Sequence, residues 1–155
     1  MYYHIHVEIY QKDKIMILGG GLDQKKMVED FNSRGYFTII IDYYDNPPAK
    51  SIAGKHHQVS TYDRDKILTI AKEEKVKLVT TNSTDQPVLV AAYVNEQLHL
   101  DNRTTYEQAL NFTNKRYMKQ KFKEFNIPSA DFVIINRDEE LGQVDKLSFP
   151  IIIKP

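Results

Sequence analysis

The 155-residue sequence predicts an α/β fold, an open parallel sheet with helices on both of its faces. Three observations predict it. First, short apolar runs recur and each is closed by a turn signal; Ile15, Met16, Ile17 and Leu18 stop abruptly at Gly19, Gly20 and Gly21. Runs that short, ended by glycine, suit strands buried on both faces. Second, the period between runs lengthens to that of a helix, with Met27, Val28 and Phe31 on one side and Lys25, Lys26, Glu29 and Asp30 on the other. Third, strand, glycine turn, helix and strand follow one another over residues 14–42, which is one right-handed βαβ unit and fixes parallel pairing.

The elements follow in order. Residues 3–10 alternate, with Ile5, Val7 and Ile9 opposite His4, His6 and Glu8, as in an exposed strand or ordered tail. His4 and His6 share a face but have no third ligand nearby, so a polar face is the reading taken and no metal site is expected. The first buried strand covers residues 15–18, a helix runs from Gln24 to a C-terminal Gly35, and residues 37–41 form a second buried strand ending at Asp42. A turn-rich loop follows, because Pro47 and Pro48 cannot continue a central strand. Residues 49–54 suit a helical turn and residues 57–60 a short strand. Asp63 or Thr61 caps a helix carrying Ile67, Leu68, Ile70 and Ala71 inward and Lys72, Glu73, Glu74 and Lys75 toward water. Residues 77–81 are a further strand, and Pro87 opens a helix apolar almost all round.

Composition bounds the function. Lys plus Arg and Asp plus Glu are each 21, so no global field attracts nucleic acid or an anionic membrane. Cysteine is absent, which removes disulfides and thiolate metal sites and agrees with a reducing compartment. With no signal peptide and no apolar run long enough to span a bilayer, a cytoplasmic protein is expected.

Ligands of open α/β sheets bind at the carboxyl ends of the strands. Here those ends carry Gly19, Gly20, Gly21, Leu22 and Asp23, then Asp42 to Asp45, then Thr81 to Asp85 with Ser83 among them. The glycines leave backbone N–H groups bare at a helix N-terminus, which favours an anion, but equally serve a tight turn with close helix packing. The dinucleotide pattern G-x-G-x-x-G fails because Gln24 stands at its last position. Asp42 suits a ribose hydroxyl or an ordinary solvated strand end. Beyond residue 100 the character changes: residues 104–112 form a short helix, and residues 114–125 a helix with Met118, Phe122 and Phe125 inward and Lys115, Arg116, Lys119, Lys121 and Lys123 on its basic face. Strands are expected at 132–135 and 149–153, with a short helix over 138–144 between them. Lys154 closes the second of these apolar strands, so its ammonium needs an anionic partner such as phosphate.

Three segments, KIMILGGG with IIIDYYDNPPA, then TNKRYMKQKFKEFNIPSADF, then FPIIIKP, resemble the opening of ATP-grasp enzymes such as carbamoyl-phosphate synthase large chain, biotin carboxylase and the purine-pathway ligases. The resemblance implies a pre-ATP-grasp Rossmann-like domain over residues 14–100, preceded by a strand or tail at 1–13. An incomplete ATP-grasp subdomain then covers residues 101–155. It implies that Lys115 and Lys154 contact ATP phosphates and that Gly19, Gly20, Gly21, Leu22, Asp23, Ser83 and Asp85 help hold the substrate to be activated. Asn114 stands where the family has Asp, and Asn126 where it has Gly. The implied cofactors are ATP and Mg²⁺, with the Mg²⁺ ligands expected beyond Pro155, so this piece alone is expected to be inactive. The implied reaction is acyl-phosphate ligation of a carboxylate to an amine or related nucleophile, with a small-molecule substrate and a possible homodimer. Its rivals are a nicotinamide-dependent Rossmann-type oxidoreductase and a non-catalytic α/β interaction module.

Overall fold

Four parallel strands, β1 (Lys14–Leu18), β2 (Phe37–Asp42), β3 (Lys55–Gln58) and β4 (Leu78–Thr80), lie in the order β3-β2-β1-β4. They belong to a computed structural model that describes residues 12–102 and 104–153. The alternating segment at residues 3–10 and Lys154 lie outside the described residues. β1 is interior, pairing in parallel with β2 from Lys14↔Phe37 to Leu18↔Ile41 and with β4 from Ile15↔Leu78 to Ile17↔Thr80. A strand bracketed in this way must be apolar on both faces, and Met16, Ile17 and Leu18 are fully buried.

The two faces carry separate cores. Met16, Leu18, Ile39 and Ile41 face helices α2 (Arg64–Glu74) and α3 (Asp85–Gln97), meeting Ile67, Ala71, Ala91 and Val94. Ile15, Ile17 and Ile40 face the opposite way, toward Val28 of α1 (Leu22–Ser33) and Ala49 of a 3₁₀ turn (Pro48–Ser51). Alternate residues of one strand therefore supply both cores, with helices on both faces.

Chain reversals explain themselves locally. α1 ends in a Schellman motif: Tyr36 N–H reaches Phe31 O at 3.1 Å, Gly35 N–H reaches Asn32 O at 3.0 Å, and Gly35 has φ +88°. Asp63 caps α2 by accepting from Lys66 N–H at 3.2 Å. β3 begins at Lys55, two residues before the expected His57, and α1 begins at Leu22 rather than Gln24. The outer edge of β4 is closed by a side chain. Buried Asn95 accepts from Val79 N–H at 2.9 Å and donates to Val79 O at 2.7 Å, taking the place of a further strand.

Contacts divide the chain into a first unit reaching to Ala109 and a second from Leu110. Helix α4 (Tyr106–Thr113) crosses that boundary, and α5 (Lys115–Glu124) lies in the second unit. α5 ends as α1 does, with Ile127 N–H on Phe122 O at 2.8 Å and Asn126 in the left-handed region at φ +53°. The strands expected at 132–135 and 149–153 do not form: neither segment has a ladder partner among the described residues, and a strand exists only as a member of a ladder. The helix expected over 138–144 is a 3₁₀ helix, Asp138–Lys146.

Glu74 corrects the sequence reading. It does not face water: its side chain is 11% exposed, held by Lys14 Nζ at 2.8 Å, by Lys55 Nζ, and by His57 Nε2 at 3.2 Å. The Lys14 bond first, then Lys55 and His57, hold its carboxyl down at about 2, against the opposing pull of burial. Because the folded value is depressed, the stabilisation is complete above about pH 4.5 and is lost as pH falls toward 2. It amounts to at most about 3 kcal/mol, less the screening that the half-exposed Lys55 allows. Glu74→Gln should lower unfolding free energy at pH 7 and flatten its dependence between pH 4.5 and 2, as urea titrations across that range will measure.

Candidate functional site

A parallel sheet points all its strand ends one way, so the turns after β1, β2 and β4 gather at one edge. The turn after β1 is gripped from several sides. Gly19, at φ +98°, prolongs the ladder by donating its N–H to Ile41 O at 2.7 Å. Gly20 donates its N–H to Asp42 Oδ2 at 2.6 Å and accepts from Ala49 N–H at 2.8 Å. A Cβ on Gly20 would stand 2.7 Å from Pro47 Cβ, so only glycine fits there. Asp42 is thus neither a free ribose ligand nor a solvated end; its second oxygen accepts from Tyr44 N–H at 2.8 Å, and the carboxylate clamps two turns together.

Gln24, the residue that breaks the dinucleotide pattern, fills the space behind the turn. It is buried, lies 3.2 Å from where a Gly19 Cβ would be, and donates through Nε2 to Asn82 O at 2.7 Å. Asn82 answers with Nδ2 on Asp23 O at 3.2 Å, while Thr81 Oγ1 donates to Leu18 O at 2.7 Å. The β1 and β4 turns are therefore tied to each other. Asn82 Oδ1 is buried and has no hydrogen-bond partner among the described residues.

Of the expected substrate residues, Gly19, Gly20 and Gly21 form the turn, and Leu22 and Asp23 are exposed at the start of α1. No side chain caps α1, so its first N–H groups point outward from Gly21 as its N-cap. Ser83 is exposed in the left-handed region at φ +61°, and Asp85 is exposed on the first turn of α3. The topology brings these residues to the same sheet edge. Lys115 opens α5 in the second unit, exposed, behind an Asn114 whose Oδ1 accepts from Arg116 N–H at 3.0 Å. A cleft of about 400 Å³, lined by Thr80, Thr81, Asn95 and Asn102 among others, runs along β4 instead of over the glycine turn. Sequence reasoning missed the roles of Asp42, Gln24 and Asn82; the failed last position of the pattern was the available signal for Gln24.

Comparison with known proteins places this open parallel sheet with its clamped glycine turn among folds like the N-terminal part of ATP-grasp enzymes. No protein-family model matches the chain. It is 28% identical over 149 residues to the formate-dependent phosphoribosylglycinamide formyltransferase of Syntrophotalea carbinolica, covering 92% of this chain and 36% of that protein. Among solved structures, it resembles phosphoribosylglycinamide synthetase from Anaerococcus prevotii with a TM-score of 0.72 and 22% identity, over 90% of this chain and 36% of that one. It also resembles N5-carboxyaminoimidazole synthase from Aspergillus clavatus, solved with ADP and 5-aminoimidazole ribonucleotide. There the TM-score is 0.66 and the identity 25%, over 90% of this chain and 37% of the other. The chain spans little more than a third of the length of each.

Gly20→Ala should destabilise the first unit by about 1–3 kcal/mol through overlap with Pro47. Asp42→Asn should cost about 1–3 kcal/mol, because one of the two N–H groups it now satisfies would face a carboxamide donor. Urea unfolding gives both values, and hydrogen exchange should show the Gly20 amide losing protection in Asp42→Asn.

Proposed function

We propose that the chain is the N-terminal part of an ATP-dependent ligase that acts through an acyl phosphate. A carboxylate oxygen of one substrate attacks the γ-phosphorus of ATP and ADP leaves. The nitrogen of a second substrate then attacks the acyl carbon and inorganic phosphate leaves. The observation that carries the reading is the order along one chain of the clamped glycine turn, the Asn-capped basic helix opening at Lys115, and the apolar run leading to Lys154, in a chain similar to a formate-dependent phosphoribosylglycinamide formyltransferase.

In this reading Lys115 and Lys154 neutralise ATP phosphate charge. Gly19, Gly20, Gly21, Leu22, Asp23, Ser83 and Asp85 shape the acceptor site, where the bare N–H groups of α1 favour an anionic group on the substrate. Named relatives act on phosphoribosylglycinamide or are solved with a ribonucleotide, which supports a phosphoribosyl amine as that substrate. The boundary near residue 100, between a pre-ATP-grasp domain and the start of an ATP-grasp domain, belongs to the same proposal. No group of three or more His, Cys, Asp or Glu suited to a metal lies among the described residues. No helix among them is long and apolar enough to cross a membrane.

Against the oxidoreductase reading stands Gln24, whose side chain packs against Gly19 and Gly21 where a dinucleotide pattern would need open backbone. An interaction module leaves Lys115 and Lys154 without a shared role.

Calorimetry on the full-length protein tests the reading. Lys115→Ala and Lys154→Ala should each weaken ATP binding by roughly ten- to hundredfold, the scale of a charge-assisted contact. Lys123→Ala, farther along the same helix, should change it little. Equal loss in Lys123→Ala and Lys115→Ala would reduce the helix to a diffuse basic face. Stabilisation of the fold by NADH and not by ATP would favour the oxidoreductase.

A further inference from the structure

On the α2/α3 side of the sheet, opposite the face that α1 covers, a cleft of about 180 Å³ is built from aromatic rings and planar polar groups. Tyr62 precedes α2 and is 66% exposed; Arg64 opens that helix; Gln86, Leu89, Val90 and Tyr93 come from α3; Tyr106 opens α4. The Arg64 guanidinium carbon lies 4.8 Å from the Tyr93 ring centroid, and Tyr93 meets Tyr106 edge-on at 6.0 Å.

The chemistry of the wall restricts the ligand. Leu89, Val90 and the ring faces supply an apolar floor that favours a flat ring. The three phenol hydroxyls and the Gln86 carboxamide make no hydrogen bond among the described residues, so they stand ready for the edge of a ligand that both donates and accepts. The charges that face Arg64 balance it. Asp65 Oδ1 lies 3.7 Å from Arg64 Nε, while Asp63 is committed to the Lys66 N–H. Arg64 is the one charged side chain in the wall, and Asp65 pairs with it, so the wall has no cluster of positive charge for a carboxylate or phosphate and no acidic side chain for a cation. The cleft is open to solvent on one side and has room for a planar ring.

We propose that this Tyr–Arg cleft is a second ligand site, which takes an uncharged planar heteroaromatic ring of the nucleobase kind. The ring stacks on the Arg64 and tyrosine planes and its edge is read by Gln86 and the phenols. This inference does not rest on the ligase reading; it stands on the wall of the cleft alone.

Adenosine, which is uncharged, is the probe. Titrated into protein carrying ¹³C-labelled tyrosine rings, it should move the Tyr93 and Tyr106 resonances saturably in the millimolar range. Arg64→Met, at an exposed position, and Tyr93→Leu should each weaken that binding about fivefold or more. Arg64→Met decides the outcome even if Tyr93→Leu fails to fold. The proposal is overturned by shifts that do not saturate, by Arg64→Met binding adenosine as tightly as the unaltered protein, or by benzoate or tetramethylammonium binding as tightly as adenosine. Either of the last two results would mark an ionic site.

Discussion

The glycine turn depends on one carboxylate. Asp42 closes β2 and its two oxygens accept from Gly20 N–H and Tyr44 N–H, so the turns after β1 and β2 cannot move independently. Charge-assisted bonds to backbone N–H are short and strong, and the 2.6 Å bond to Gly20 is of that kind. Pro47 then lies where any Gly20 side chain would be, and Ala49 N–H holds the Gly20 carbonyl. With Gly20 engaged on all sides, what remains open is the row of N–H groups beginning α1. The clamp therefore acts on the backbone, holding still the turn from which α1 begins.

A second tie runs to the other neighbour of β1. Gln24 reaches Asn82 O, Asn82 reaches Asp23 O, and Thr81 reaches Leu18 O, so the β4 turn is fixed to the same glycine segment. Both strands beside the central one thus lock its exit. The left-handed Ser83 sits just past this tie, and non-glycine residues in that region persist where the surroundings impose them. The left-handed Ser83 and Asn82 Oδ1, which is buried without a hydrogen-bond partner among the described residues, lie next to each other at this strand end.

The sheet was legible in the sequence because its signals are local. Four apolar residues ended by glycine can only be buried on both sides, and the helix between β1 and β2 stops where Gly35 and Tyr36 complete a Schellman pair. Asn126 takes the left-handed conformation at the end of α5, a position where asparagine is the common alternative to glycine. The long-range pairs were not legible. Glu74 sits on a polar helical face by its spacing, yet Lys14 and Lys55, far away in sequence, converge on it because β1 and β3 both start at that end of the sheet. Asp42 likewise looks solvated until the loop that follows folds back over Gly20. Apolar content at 132–135 and 149–153 suggested strands for the opposite reason: pattern marks what a segment can become, while a strand requires a neighbour.

That contrast separates the two units physically. The first closes itself. Asn95 satisfies the outer edge of β4 through both of its amide groups, Lys55 and His57 of β3 engage Glu74, and each face of the sheet has its own helices. In the second, from Leu110 on, Phe125, Phe149, Ile152 and Ile153 are each more than 60% exposed, and the described residues beyond Thr113 contribute nothing to the buried core. Burying an apolar side chain of that size is worth about 1.5–3 kcal/mol, so these residues hold unused stabilising potential. The order in the second unit comes instead from helix ends and short polar ties: Asn114 capping α5, the left-handed Asn126, and Lys119 on Ala130 O at 3.1 Å. The order of this segment therefore rests on caps and short polar ties, and its exposed apolar residues add nothing to it.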